Sequence, residues 1–478
     1  MTDSPDNDVA RATGKKIPTT ANTGAVAAVG LDLQEGKIIP RKQVVSWALW
    51  DWATQPFNSV ILTFVFTALY LVGDSFLPEG VAALADDDPI KEKALADLAS
   101  GLGLAGTIAG LAIFLLAPVL GQRADALGRR KRWLLIYTSA LIAVMFALFF
   151  VQADPMYFVL GVGLIAVGSV LSELAGVNYN AMLVQVSTPR TIGKVSGLGW
   201  GLGYIGGIVA LVIVLVANAF DWFGLDTSNG MAYRLIAVGC AVWGILFILP
   251  LILNVPESQA APGRPQVSFF RSYVVLAQDI RKLFRESRPT AFFLLASAVY
   301  RDGLAGVFAY GAVIAAIVFG FEPNTVIVFG VAANLVAGAS TIIAGRFDDL
   351  FGARAVILTA LIGLVISGLV VFFFHDSGQM MFWIFGLALC LFVGPAQASS
   401  RSLLARVTPA GREGEIFGLY ATTGRAASFL SPALWTIFIA IFGATYWGIL
   451  GIVIVIAVGL VLMLMVKMPK HVRPTKAA

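Results

Sequence analysis

Asp51, Gln55 and Asn58 stand at i, i+4 and i+7 in "SWALWDWATQPFNSVILTFVF", a stretch otherwise apolar enough to enter a membrane. That spacing places all three on one helical face. An ionised carboxylate turned toward lipid is costly, so this face should point into a bundle interior or a water-filled cavity. Further along, "SELAGVNYN" sets Glu173 and Asn180 on one face with Ser169. Neither Asp51 nor Glu173 has a basic residue one turn away in its own segment. Tyr300, Arg301 and Asp302 are consecutive, Gln397 and Arg401 are four apart, and Arg425 precedes Ser428 by three. A site holding both signs suits a zwitterion, whose carboxylate meets Arg while its ammonium meets Asp or Glu. A structural reading competes: Arg301 or Asp302 pairs with a neighbouring helix, Asp51 pairs with Arg425 or Arg301 across a bundle, and Arg401 snorkels to a nearby interface.

The elements that carry these residues are membrane spans. The 478 residues are 58% hydrophobic and only 13% charged, with a mean hydropathy of +0.84, whereas a soluble domain is about 25% charged. Cys240 and Cys390 both lie in apolar runs, which excludes a disulfide framework and a CxxC metal site. No zinc, dinucleotide or phosphate-loop motif occurs, so neither metal nor cofactor is expected and any energy must come from a gradient. The net charge of +5 comes from basic residues scattered between apolar segments, which argues against nucleic acid. The first forty or so residues are polar or small with no apolar h-region, and are read as a disordered cytoplasmic tail without a cleaved signal.

A hydrocarbon core of about 30 Å needs roughly twenty apolar residues per helix. Such segments begin near Val44, Gly101, Trp133, Met156, Gly197, Tyr233, Thr290, Thr325, Ala355, Met380, Ile416 and Thr445, making twelve. Of the 33 Lys and Arg residues, all but Lys91, Lys93, Arg234, Arg301 and Arg425 fall in the tails or the even-to-odd connections. Positive loops are retained inside, so both termini are expected in the cytoplasm. Trp47, Trp50 and Trp52 read as interface anchors, and the run from Gly197 to Gly207 as a close helix contact.

The spans repeat as a block. "GQRADALGRRKRW" from Gly121 and "GRFDDLFGARAVIL" from Gly345 share G-x3-D-x2-G followed by a basic residue, through Asp125, Gly128 and Arg129 in one and Asp349, Gly352 and Arg354 in the other. "LVQVSTPRTIGKVSGLGWG" aligns with "LLARVTPAGREGEIFGLYA", pairing Pro189 with Pro409 and Gly197 with Gly418. Repeated six-helix halves are a transporter architecture. Between them, "NVPESQAAPGRPQVS" reads as a linker. In "FFRSYVVLAQDIRKLFRES", Phe269, Tyr273, Leu276, Ile280 and Leu283 recur at helical spacing, flanked by Arg271, Arg281, Lys282 and Arg285. That is a basic amphipathic helix suited to the inner membrane surface.

Both loop motifs resemble the loop signature of the major facilitator superfamily. "WALWDWATQPFNSVILTFVF" and "GREGEIFGLYATTGRAASFLSP" further resemble the vacuole effluxer family within it, named for fungal proteins that export amino acids from the vacuole. The resemblance implies that helices 1, 4, 7 and 10 line the cavity. It also implies that Asp125 and Asp349 latch the inward side shut against helices 11 and 5. Three features depart from the pattern. The fourth helix lacks the Arg of the usual proton-coupling motif, the fifth, "GLGWGLGYIGG", lacks the Pro typical of drug antiporters, and Trp50 stands where the family is expected to have Tyr.

The expected protein is therefore all-α, with twelve transmembrane helices in two pseudo-symmetric six-helix bundles, the major facilitator fold. Its expected divisions are a tail (1–43), a first bundle (44–254), a linker with the amphipathic helix (255–289), a second bundle (290–467) and a tail (468–478). Asp51, Gln55, Asn58, Glu173, Asn180, Tyr300, Arg301, Asp302, Gln397 and Arg425 are the candidate substrate residues. Asp125, Gly128, Arg129, Asp349, Gly352 and Arg354 are the candidate gate. The expected function is secondary active transport of a small organic solute, foremost an amino acid or related zwitterion, across the cytoplasmic membrane by alternating access, without enzymatic activity. The alternatives are a sugar, drug or lipid-like solute, or a receptor on the same fold. Expected partners are the solute, membrane lipids and a coupling proton, with the protein a monomer.

Overall fold

The structure is a computed structural model and describes residues 31, 34–85, 88–225, 228–257, 268–286, 288–409 and 411–466. The expected disordered tail falls largely, and the C-terminal tail wholly, outside the described residues. The first span is α1 (Arg41–Pro56) continued by two π-helical stretches, Phe57–Phe64 and Phe66–Leu71. Pro56 cannot donate a helical hydrogen bond, and the wider winding begins directly after it.

Spans two to six are α2 (Pro89–Leu127), α3 (Arg130–Ala147), α4 (Phe158–Ala181), α5 (Ile192–Ala219) and α6 (Met231–Asn254). The α2 helix starts where the Asp88 carboxylate accepts the Ile90 amide at 2.8 Å with Pro89 in the first position, and it stops at Gly128, whose φ of 59° is left-handed. After the connection comes α7 (Phe269–Glu286), the expected amphipathic helix. The second half holds α8 (Arg288–Val313), α9 (Pro323–Phe351), α10 (Ala353–Phe373), α11 (Gln379–Val407), α12 (Glu413–Ala427), α13 (Leu430–Phe442) and α14 (Trp447–Met465). Span eleven is α12 and α13 together, broken around Ser428.

Among the described residues, eleven helical segments are long and apolar enough to cross a membrane. The interrupted first span, Arg41–Leu71, makes the twelfth crossing. Within the first half α1 packs on α5 and α6, and α4 on α2 and α3; within the second half α11 packs on α9 and α10, and α14 on α8 and α13. Between halves the main contacts are α5 with α9 and α2 with α12, a pseudo-symmetric exchange of partners. Arg41, Gly128, Thr191, Gly352 and Arg412 all mark helix ends on one side of the bundle, called here the basic face for its arginines and lysines.

The glycines of α5 serve both its neighbours. A Cβ on Gly197 would stand 2.6 Å from the Thr341 carbonyl of α9, whereas one on Gly206 would stand 3.2 Å from the Trp52 backbone of α1. Helices approach this closely only where no side chain intervenes.

Candidate functional site

Two carboxylates clamp the halves together at the basic face, and each does so at a helix N-terminus. The first amides of a helix have no partner within it and carry partial positive charge. Asp125, from α2, accepts the amides of Gly414 at 2.9 Å and Glu415 at 3.0 Å, the second and third residues of α12. Asp349, from α9, accepts the amides of Gly193 at 2.7 Å and Lys194 at 3.0 Å, the second and third residues of α5. Arginines complete both clamps. Arg130 donates to Asp125 at 2.7 Å and to Glu413 at 2.5 Å. Arg406 pairs with Asp348 at 2.8 Å and Asp349 at 3.2 Å. Ser402 donates to Asp348 as well.

The motif residues around these carboxylates have different places. Gly128 turns the chain in left-handed backbone so that Arg130 comes back onto Asp125. Arg129 is exposed beside that turn. Gly352, at φ 91°, separates α9 from α10, and Arg354 donates to the Leu464 carbonyl at 3.0 Å within its own half. The sequence pattern singled out Arg129 and Arg354; the arginines that hold the carboxylates are Arg130 and Arg406.

Above the clamps lies a third crossing, centred on Arg401 of α11. Its guanidinium donates to the Ser196 hydroxyl at 3.0 Å, the Ser196 carbonyl at 2.6 Å and the Asn180 side chain at 3.0 Å. It also stands 3.5 Å from the Asp51 carboxylate, which accepts the Tyr179 hydroxyl at 2.8 Å. The rings of Trp47, Tyr179 and Trp200 lie 5.3, 5.5 and 5.7 Å from it, within cation–π range. Gly199 leaves the room for this cluster: a Cβ there would meet Tyr179, Arg401 and Asp51 at 2.7, 2.9 and 3.0 Å. Two readings from sequence are corrected here. Arg401 is 3% exposed and does not snorkel, because four polar groups of the other half compensate its charge. Trp47 and Trp50 are not interface anchors. Both are buried and stack on Tyr179 with centroids 4.3 Å apart.

Further from the basic face the lining opens. Ser169, Val170, Glu173, Gly176 and Asn180 form a half-exposed stripe on α4, continued on the first span by Asp51 and Gln55 of α1 and by Asn58 of the π-helical stretch after it. Gln55 donates to Ser59 at 3.1 Å. Glu173 faces Arg425 of α12 at 3.3 Å, with 32% and 44% of the two side chains exposed. Gln397 accepts the Tyr204 hydroxyl at 2.6 Å, again between halves, and Tyr204 stacks on Phe308 of α8. Arg301 donates to the Tyr420 carbonyl at 2.9 Å and lies 3.7 Å above the Tyr420 ring.

Its two neighbours point elsewhere. Asp302 is 6% exposed and accepts the Ser431 amide at 2.6 Å, capping the start of α13. Tyr300 is fully buried and shares a 2.6 Å hydrogen bond with Ser400. The structure therefore brings Asp51, Asn180, Glu173, Gln397 and Arg425 to the inter-half space, and sets Tyr300 and Asp302 inside the second half. No group of side chains suited to a metal ion occurs among the described residues.

Two six-helix halves joined by pseudo-symmetric clamps, with a charged space between them, define a major-facilitator-type transporter. The chain belongs to the Atg22-like vacuole effluxer family, whose model, described as "Vacuole effluxer Atg22 like", matches residues 185–476. It is 27% identical over 431 residues to YxiO of Bacillus subtilis (strain 168), an uncharacterized MFS-type transporter, covering 88% of this chain and 94% of that one. It is 24% identical over 294 residues to autophagy-related protein 22 of Cryptococcus neoformans, spanning 56% of this chain and 51% of that longer protein. Among solved structures, human organic anion transporter MFSD10 (TETRAN) superposes with TM-score 0.66 at 14% identity, covering 88% of this chain and 99% of that one. FucP in its outward conformation superposes with TM-score 0.64 at 14% identity, covering 90% and 99%. The relative YxiO and both solved neighbours are described as transporters.

Proposed function

We propose that the protein carries an amino acid or related zwitterion across the cytoplasmic membrane by alternating access, with the basic face in the cytoplasm. The observation that carries this reading is the opposed pair Glu173 and Arg425, one from each half, partly exposed to the space between them. A zwitterion entering there replaces one ion pair by two, its ammonium on Glu173 and its carboxylate on Arg425. Gln55, Asn58 and Gln397 supply neutral polar contacts at the same level. The clamps at Asp125 and Asp349 and the Arg401 crossing close the cytoplasmic side, leaving the cavity open to the other side. Asp51 is the residue whose proton state governs the Arg401 crossing, since a neutral Asp51 gives up its charge attraction to the guanidinium.

Counterflow of a labelled amino-acid panel into proteoliposomes tests the substrate. E173Q should admit the carboxylate end but lose affinity for the ammonium, and R425Q the reverse, each weakening binding about tenfold or more. If amino acids neither stabilise the purified protein nor exchange, the substrate assignment falls. An enzymatic reporter fused after Ala478 should report the cytoplasm and one inserted in "ALADDDP" the opposite side; the reverse assignment would overturn the orientation, and the same side for both would overturn the twelve-span count.

A further inference from the structure

The α7 helix joins the halves, yet only one of its faces is used in packing. Leu276 and Leu283 are buried, and Phe269, Tyr273 and Ile280 pack with them against the bundle. The Tyr273 hydroxyl reaches the carbonyl of Leu115, a lipid-facing residue of α2, at 3.4 Å. The helix ends at Glu286 and α8 begins at Arg288, so it lies where the spans emerge at the basic face.

A second flank is left over. Positions 270, 274, 277, 281 and 284 follow one another at i, i+4, i+7, i+11 and i+14, which is one side of a helix. Phe270 is 82% exposed, Val274 57% and Phe284 43%, with Ala277 and Arg281 exposed between them. Arg271 and Arg285 are exposed beside the same flank, Arg288 is exposed at the start of α8, and none of the four arginines has an ion-pair partner among the described residues. The helix itself carries four basic residues against Asp279 and Glu286.

We propose that this flank of α7 is a docking surface for anionic phospholipid in the leaflet at the basic face. Phe270, Val274 and Phe284 enter the acyl boundary while Arg271, Arg281, Arg285 and Arg288 hold the headgroup phosphates. Large apolar side chains along the flank, with Arg281 among them and Arg271 and Arg285 beside it, fit a surface that is hydrocarbon below and anionic above. A protein groove would favour an uninterrupted apolar stripe, and nucleic acid would leave the exposed Phe and Val residues without a role.

The test uses the full-length protein in vesicles of phosphatidylcholine with phosphatidylglycerol. Both native cysteines are buried, so a bimane label on A277C reports this flank alone. Spin-labelled phosphatidylglycerol should quench it more strongly than spin-labelled phosphatidylcholine at the same mole fraction. R281Q/R285Q should erase most of that preference, each arginine contributing up to about fivefold in headgroup enrichment. Should that variant fold poorly, raising the salt on A277C with all its arginines must collapse the preference in the same way. Equal quenching by the two lipids overturns the anionic assignment. No quenching by either shows that α7 is covered by something other than lipid, and overturns the proposal altogether.

Discussion

At the scale of the residue, the Arg401 crossing is the link between the halves that is hardest to read in sequence. The Asp51 face is legible because helical period alone defines it. Its partner, Arg401, lies in a distant segment near a helix end, where a snorkelling arginine is the ordinary case. The missed signal is local: Arg401 sits in "QASSRS", a run of small and polar residues unlike the large apolar neighbours of a lipid-facing arginine. Arg401→Lys keeps the charge but cannot reach Ser196, Asn180 and Asp51 together, because a single ammonium replaces a planar fork. The closed form should lose about 2 kcal/mol, read as a rise in thiol accessibility from the basic face. Asp125→Asn tests the clamp next to it. An amide can accept only through one oxygen, so one amide of α12 and part of the Arg130 charge lose their acceptor. The expected cost to the closed form is about 2–3 kcal/mol, with transport slowed and accessibility increased; unchanged accessibility removes the gating role.

At the scale of the element, the repeated loop motifs predicted where each half reaches for the other, but not how closely the backbones approach. The α2 and α12 helices touch through Gly121 and Gly414: a Cβ on Gly121 would stand 2.1 Å from the Gly414 carbonyl, a backbone atom that no rotamer change can remove. In an exposed helix Gly→Ala gains about 1 kcal/mol of propensity. At Gly121 the steric term wins, and Gly121→Ala should separate α2 from α12 and lower thermal stability. Gly110→Ala, also in α2 but with nothing within 4 Å of its Cβ, should be neutral or slightly stabilising. If both variants melt alike, the close contact contributes nothing. The break of the first span into π-helical winding after Pro56 was not legible. Hydropathy counts apolar residues and is blind to the pitch that carries them.

At the scale of the whole molecule, span number and two-fold repetition were legible because lipid imposes both on the sequence: apolar length fixes the crossings, and basic loops mark one face. Which face of the cavity is closed was not legible, since closure depends on contacts between segments hundreds of residues apart. Every hydrogen bond described between the two halves lies between the basic face and the level of Glu173 and Arg425, so alternating access requires the α5–α9 contact to open at that face. A covalent tie there tests this. A Cβ on Gly201 would stand 2.3 Å from Cγ1 of Ile342, which brings the two Cβ positions near the 3.5–4.5 Å typical of a disulfide, about 13 Å in from the start of α5. The variant G201C/I342C also removes the side chain that would clash. Oxidised, it should retain binding from the open side but abolish counterflow, and reductant should restore transport. I342C alone should transport normally, and Cys240 and Cys390, both buried, should not interfere. Counterflow that survives full oxidation would mean that the halves do not part along α5 and α9, and the rocking motion inferred from the repeated architecture would have to be abandoned for this protein.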